Sequence, residues 1–260
     1  MYEPARASLP LPPMPETRRK PLFLRALVLV AVVTSTLAAC GGQGLDGGTR
    51  RTFFVRGALA PPAHSNQGPC VYSPDPNAAM LLEGRVDLGV TDTYQVTLLA
   101  QSTDPAVSTS ITGAHIALKN AGQDVLREFD LVTTGFIGAG GVDALTFVTV
   151  VDAPSRDLLL ESLPNRTTSA TFVADVTLRG HDAAGGPELT SPVFSYPFAA
   201  CNGCLLDFSR GNDDAAPVQP NCLRPLDPSA VVPCFIGQDE TVPCQLCVAT
   251  RRVCDPAATF

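Results

Sequence analysis

The sequence predicts a mainly β protein: an antiparallel β-sandwich over residues 81–200, followed by an irregular, disulfide-rich segment over 201–260. Three observations carry this. Apolar residues alternate with polar ones at period two in short runs through the middle of the chain, as strands with one buried face require. Turn-forming Gly, Asn and Asp clusters separate these runs. Seven of the nine cysteines fall within the last 60 residues, above the roughly 8–10% at which a segment reads as a crosslinked scaffold.

The elements follow in chain order. A strand-like run over Thr52–Leu59 opens a loop-rich lead-in (50–80) that holds Cys70 and is broken by Pro61-Pro62, Gly68-Pro69 and Pro74-Asp75-Pro76. Val86, Leu88 and Val90 then alternate with polar partners, and Tyr94, Val96 and Leu98 repeat the pattern after a Thr91-Asp92 turn. Further strands are expected over Ala114–Lys119, Val125–Leu131, Leu145–Val151, Thr168–Arg179 and Pro192–Phe198. The clearest carries Ala170, Phe172, Ala174, Val176 and Leu178 on one face. Asn120-Ala121-Gly122, Gly138–Gly141 and Asp182–Gly186 are the turns between them. Ser155–Leu163 reads as a short helix. Strand and helix runs do not alternate, so a parallel α/β fold is not expected. The number and spacing of strands suit a sandwich, and the final pair with its Gly-rich connection resembles the last hairpin of an immunoglobulin-like or fibronectin-III-like module.

The N-terminal region has a different character. Arg18-Arg19-Lys20 is a basic start, and Ala26–Val33 is an apolar run far short of the ~20 residues that span a bilayer; together they suit a signal peptide. The run ends at Leu37-Ala38-Ala39-Cys40. These residues resemble the lipobox of bacterial lipoprotein precursors. The resemblance implies that the Cys40 thiol takes a diacylglyceryl group (palmitate among its acyl chains) and that a peptidase cuts before it. Residues 1–39 are then the signal peptide, with Met14 the expected start. Residues 40–49 form the anchor and a Gly-rich tether with a mean reach of roughly 15–20 Å. Gly41, where an Asp would hold such a protein in the inner membrane, implies the outer membrane. With its β-rich middle and Cys-rich end, the whole also resembles the Cys-rich envelope lipoproteins of Gram-negative bacteria, a group from which no activity carries over.

Charge narrows the partners. Residues 40–260 carry 13 basic and 23 acidic groups, a net of −10. Such a surface repels nucleic acid and anionic headgroups, so nucleic acid is excluded as a partner and the lipid is the expected link to the membrane. A protein or glycan is the expected ligand class, met through loops.

If Cys40 is lipidated, eight cysteines remain: Cys70, Cys201, Cys204, Cys222, Cys234, Cys244, Cys247 and Cys254. An even number in an exported chain implies four disulfides, of undetermined pairing. Cys201-Asn202-Gly203-Cys204 and Cys244-Gln245-Leu246-Cys247 share the C-x-x-C spacing. Two such pairs could hold zinc, or one could act as a catalytic dithiol if it opened a helix. Disulfides are the reading taken, with no metal and no cofactor expected.

Motifs for other chemistry are missing. His64, His115 and His181 are isolated, and the chain has no H-E-x-x-H, G-x-S-x-G or phosphate loop. Asp207, Asp213 and Asp214 lack calcium-loop spacing. The expectation is therefore a non-enzymatic, lipid-anchored envelope protein of structural or binding role. The alternatives are an accessory subunit of an envelope assembly or secretion machine and, below it, an extracytoplasmic hydrolase or dithiol oxidoreductase. The cysteine count predicts a mature protein without free thiols. Denatured, unreduced protein should gain no mass from an alkylating agent, and uptake of two or more labels would contradict the disulfide assignment.

Overall fold

The alternating runs do become strands. The computed structural model describes residues 53–62, 70–72, 75, 77–141, 143–163, 168–208, 226, 232–247 and 254. The signal segment, Cys40, the tether, His64, Asp213, Asp214 and Cys222 lie outside these residues. Eleven strands are present among them: β1 (Phe53–Ala58), β2 (Gly84–Asp87), β3 (Tyr94–Ser102), β4 (Thr109–Asn120), β5 (Val125–Ile137), β6 (Ala144–Val151), β7 (Ser169–Asp182), β8 (Glu188–Thr190), β9 (Phe194–Cys201), β10 (Leu206–Asp207) and β11 (Val242–Pro243). The protein is mainly β.

A three-stranded antiparallel sheet has the order β1-β3-β6. A larger sheet runs β2-β9-β7-β4-β5, with β8 on the end of β7. Both sheets turn apolar residues into one core: Val96, Leu98, Val148 and Val150 from the first, and Ile116, Leu118, Ala174, Val176, Leu178 and Phe198 from the second. In β7 the even positions from Phe172 to Asp182 are buried, so the predicted face of that strand is the core face. The helix foreseen near Ser155 is α1 (Ala153–Leu160). Its start is set by Asp152, whose side chain accepts from the Ser155 N–H, and by Pro154 in the first turn.

Three departures from the expected strand pattern have local causes. Leu88 and Val90 are buried but lie in a turn, because β2 stops at Asp87 and the Asp87 carboxylate and carbonyl take the N–H groups of Gly89, Val90 and Thr91. The last hairpin is interrupted. β8 pairs with the end of β7, and β9 pairs with its earlier part. At the break Pro192 has no N–H to offer, and Ser191 fills in, its Oγ accepting from Leu178 N and donating to Pro192 O. Finally, β2 joins β9 in parallel, with Asp87 opposite Cys201.

Aromatic packing concentrates at this end of the core. Phe198 is fully buried, with its ring 5.5 Å from that of Tyr94 and 5.9 Å from that of Phe172. Phe198→Ala should lower stability by about 3–5 kcal/mol, the usual cost of emptying an aromatic core site. Chemical denaturation would check this, with a shifted midpoint at unchanged m-value.

Candidate functional site

All seven described cysteines are disulfide-bonded. Cys70 joins Cys234, Cys201 joins Cys204, Cys247 joins Cys254, and Cys244 is also oxidised. The two C-x-x-C pairs, alike in sequence, differ in structure. The first closes on itself, whereas Cys247 of the second reaches Cys254 instead. The first also does not open a helix: residues 202–205 form a bent loop that runs into β10.

The local reason is Asp87. At the end of β2 it is completely buried. Its Oδ1 accepts from Gly89 N (3.1 Å) and Gly203 N (2.6 Å), and its Oδ2 accepts from Leu205 N (3.0 Å). The amides either side of Cys204 are thus drawn onto one carboxylate, and Gly203, with φ of 93°, supplies the left-handed turn that aims them. Burial pushes the Asp87 carboxyl above its ordinary value, against the pull of its backbone N–H donors from Gly203, Leu205, Gly89 and Val90.

An Asp87 oxygen and the sulfurs of Cys201 and Cys204 lie within 4.8 Å of one another. Cys201 is buried and Cys204 is exposed. Reduced, this trio would present two thiols and a carboxylate; oxidised, it has no thiolate to offer a metal. Among the described residues the second C-x-x-C contributes no ligand to this group, so a two-pair zinc site does not form.

A second buried polar group fastens the C-terminal segment. Tyr94 Oη lies 2.9 Å from Tyr196 Oη and donates to Asp239 Oδ1 at 2.8 Å. Gly84 makes room for it, since a Cβ there would collide with both hydroxyls. Asp239 Oδ1 also accepts from Arg85 N, and Asp239 N returns a bond to Arg85 O, both at 2.8 Å. Gln238 clamps β3, accepting from Gln95 N and donating to Thr93 O, each at 3.1 Å. Burial raises the Asp239 carboxyl, with the charge of Glu240 adding and the Arg85 and Tyr94 donors opposing. Burial likewise raises the Tyr94 and Tyr196 hydroxyls, and the nearby Asp239 adds to both.

The histidines do not gather. His115 Nδ1 sits 2.9 Å from Asp130 Oδ1, and the same oxygen lies 3.0 Å from Arg179, a chain of polar contacts on the outer face of the larger sheet. His181 stands opposite Glu188 and Ser110 at the far end of β7. Asp207 lies in β10. Neither Asp87 nor Asp239 stood out in the sequence; in a chain this acidic, a single Asp at a strand end or before a Glu carries no signal of burial.

No protein-family model and no curated protein matches the chain. Among solved structures, it is similar to one described as a late embryogenesis abundant protein, at 13% identity and TM-score 0.32, over 68% of this chain and 82% of that one. It is also similar to one described as the ApaA protein of Bordetella pertussis, at 10% identity and TM-score 0.26, over 44% of this chain and 85% of that one. At these scores neither likeness bears on fold or activity.

Asp239 gives a prediction with a definite sign. A carboxyl raised in the folded state binds its proton more tightly there than in the unfolded chain. Its stabilisation is complete below the unfolded value, about 3.9, and is lost as pH rises through the folded value. Asp239→Asn keeps the Oδ1 acceptor and tolerates the φ of 60° at this position, but cannot ionise. Its stability relative to wild type should therefore climb as pH rises through that window. Urea unfolding at a series of pH values measures the gap; a constant gap would refute the reading.

Proposed function

We propose that the protein is a lipid-anchored component of the bacterial cell envelope with a structural or binding role. It is held at the outer membrane through Cys40 and built on a β-sandwich of the immunoglobulin or fibronectin-III kind. The observation that carries this reading is the state of the cysteines. Every described cysteine is oxidised, as suits an exported chain. Cys222 would complete four pairs, leaving Cys40, in its lipobox context, as the odd residue. Two sheets contributing to one core support the sandwich.

A protein ligand is favoured by one surface feature. On β5, which borders the larger sheet, Val132 and Phe136 are 88% and 59% exposed. The same feature supports the second reading, an accessory subunit of an envelope assembly. Native electrophoresis of the detergent-extracted protein separates the two, since a free binder migrates at its own mass and a subunit with its complex.

Cys40→Ser tests the anchor. The variant should accumulate as uncleaved precursor and take up no radiolabelled palmitate. A variant that is still cleaved and still needs detergent for extraction would overturn the assignment.

A further inference from the structure

We propose that the Cys201–Cys204 disulfide is a thiol–disulfide exchange site, in which Cys204 is the sulfur attacked and Asp87 is the proton donor to Cys201. The substrate is a dithiol, such as a pair of cysteines on an exported protein. Three features suit this disulfide to exchange, and the second is particular to it among the described disulfides.

The first is access. Cys204 is exposed while Cys201 is buried, so an incoming thiolate has one sulfur to attack and the other becomes the leaving group. The second is a positioned acid. The Asp87 carboxyl lies within 4.8 Å of both sulfurs, and its orientation is fixed by Gly203 N and Leu205 N on either side of Cys204. A thiolate expelled into a buried site is costly unless neutralised, and a carboxyl that burial favours in its protonated form can supply the proton. The third is that the bond closes a short ring. Its cysteines are 3 residues apart, whereas Cys70–Cys234 spans 164. The short ring constrains the unfolded chain far less than the long one, so it can open while the framework holds.

The chemistry balances as follows. The substrate's first thiol loses its proton to water, and its thiolate attacks Cys204 Sγ. A bond forms between the substrate sulfur and Cys204 as the Cys201–Cys204 bond breaks. The electron pair goes to Cys201 Sγ, which takes the proton of Asp87 and leaves a carboxylate. The second substrate thiol, deprotonated by water, then attacks the first substrate sulfur and expels Cys204 as a thiolate. Cys204 and Asp87 each recover a proton from water. The substrate dithiol is oxidised to a disulfide and the protein disulfide is reduced to a dithiol.

The test uses the mature chain with all its disulfides intact. Graded dithiothreitol is followed by alkylation and peptide mapping, and a parallel sample receives oxidised and reduced glutathione. Cys201 and Cys204 should become labelled while Cys70, Cys234, Cys247 and Cys254 remain protected, and the glutathione adduct should sit on Cys204. Asp87→Asn should slow reduction of this bond at least tenfold without changing that of Cys247–Cys254. Reduction of all disulfides together, an adduct on Cys201, or an unchanged rate in a folded Asp87→Asn protein would each overturn the proposal. Should that variant fail to fold, the order of reduction and the adduct position in the wild-type chain decide alone.

Discussion

Asp87 is a carboxyl group from which water has been removed, and much of one end of the molecule is arranged to make that tolerable. A buried acidic group needs several hydrogen bonds or a partner charge. Here the donors come from two distant segments: Gly89 in the turn after β2, and Gly203 and Leu205 in the loop after β9. Satisfying one side chain therefore fixes two turns at once. It also joins two cores. The turn directs Leu88 into the main core and Val90 into a smaller cluster with Leu206, Val242 and Cys254. Parallel pairing of β2 with β9 puts Asp87 beside Cys201, so the carboxylate, the turn, the loop and the disulfide form one unit.

The C-terminal segment depends on the same edge. Gly237 O accepts from Asp87 N, while Asp239 N donates to Arg85 O and Asp239 Oδ1 accepts from Arg85 N. With Gln238 clamping β3, the residues after Cys234 behave as an extra partner for β2 and β3, not as a segment held by crosslinks alone. Cys70–Cys234 adds a covalent tie between the lead-in and this segment. Of the forces at work here, the hydrogen bonds are the more directional and set the register, whereas the disulfide restricts the chain to the neighbourhood.

How far the sequence could reveal this follows from which interactions are local. The faces of β3 and β7 were legible because period-two alternation reports burial directly, as at Phe172, Ala174, Val176 and Leu178. The turns near Gly122, Gly140 and Gly185 were legible because turn chemistry and positive φ act within a few residues, whereas the helix expected over Ser155–Leu163 starts earlier, at the Asp152 cap. Leu88 and Val90 were misplaced because alternation shows that a residue is buried, not whether its backbone is still a strand. The parallel β2–β9 pair and the insertion of β8 were invisible, since both are choices of partner over long sequence separations. The two C-x-x-C pairs looked equivalent because their difference lies in Asp87, more than a hundred residues away. The same applies to Asp239, whose hydrogen-bond donor Tyr94 is also more than a hundred residues away.

The outer face of the larger sheet completes the physical picture. Its side chains are tied across strands: Asp130 between His115 and Arg179, and Asp175 between Lys119 and Ser195. Partial burial works against the Asp175 carboxylate, yet the Lys119 and Ser195 bonds hold it below its ordinary range. Ion pairs as exposed as Arg179–Asp130 contribute little to stability. Their consequence is solvation, a wet polar layer over β4 and β7 that neighbouring molecules have small reason to displace. The layer gives way on β5, where Val132 and Phe136 stand in water beside the polar rows. Removing apolar area from water is favourable, whereas stripping solvated charges costs free energy. A partner meeting this sheet therefore gains most at the β5 border and least over its centre. Since residues 40–260 carry a net charge of −10, a neutral or basic partner would meet the least repulsion there.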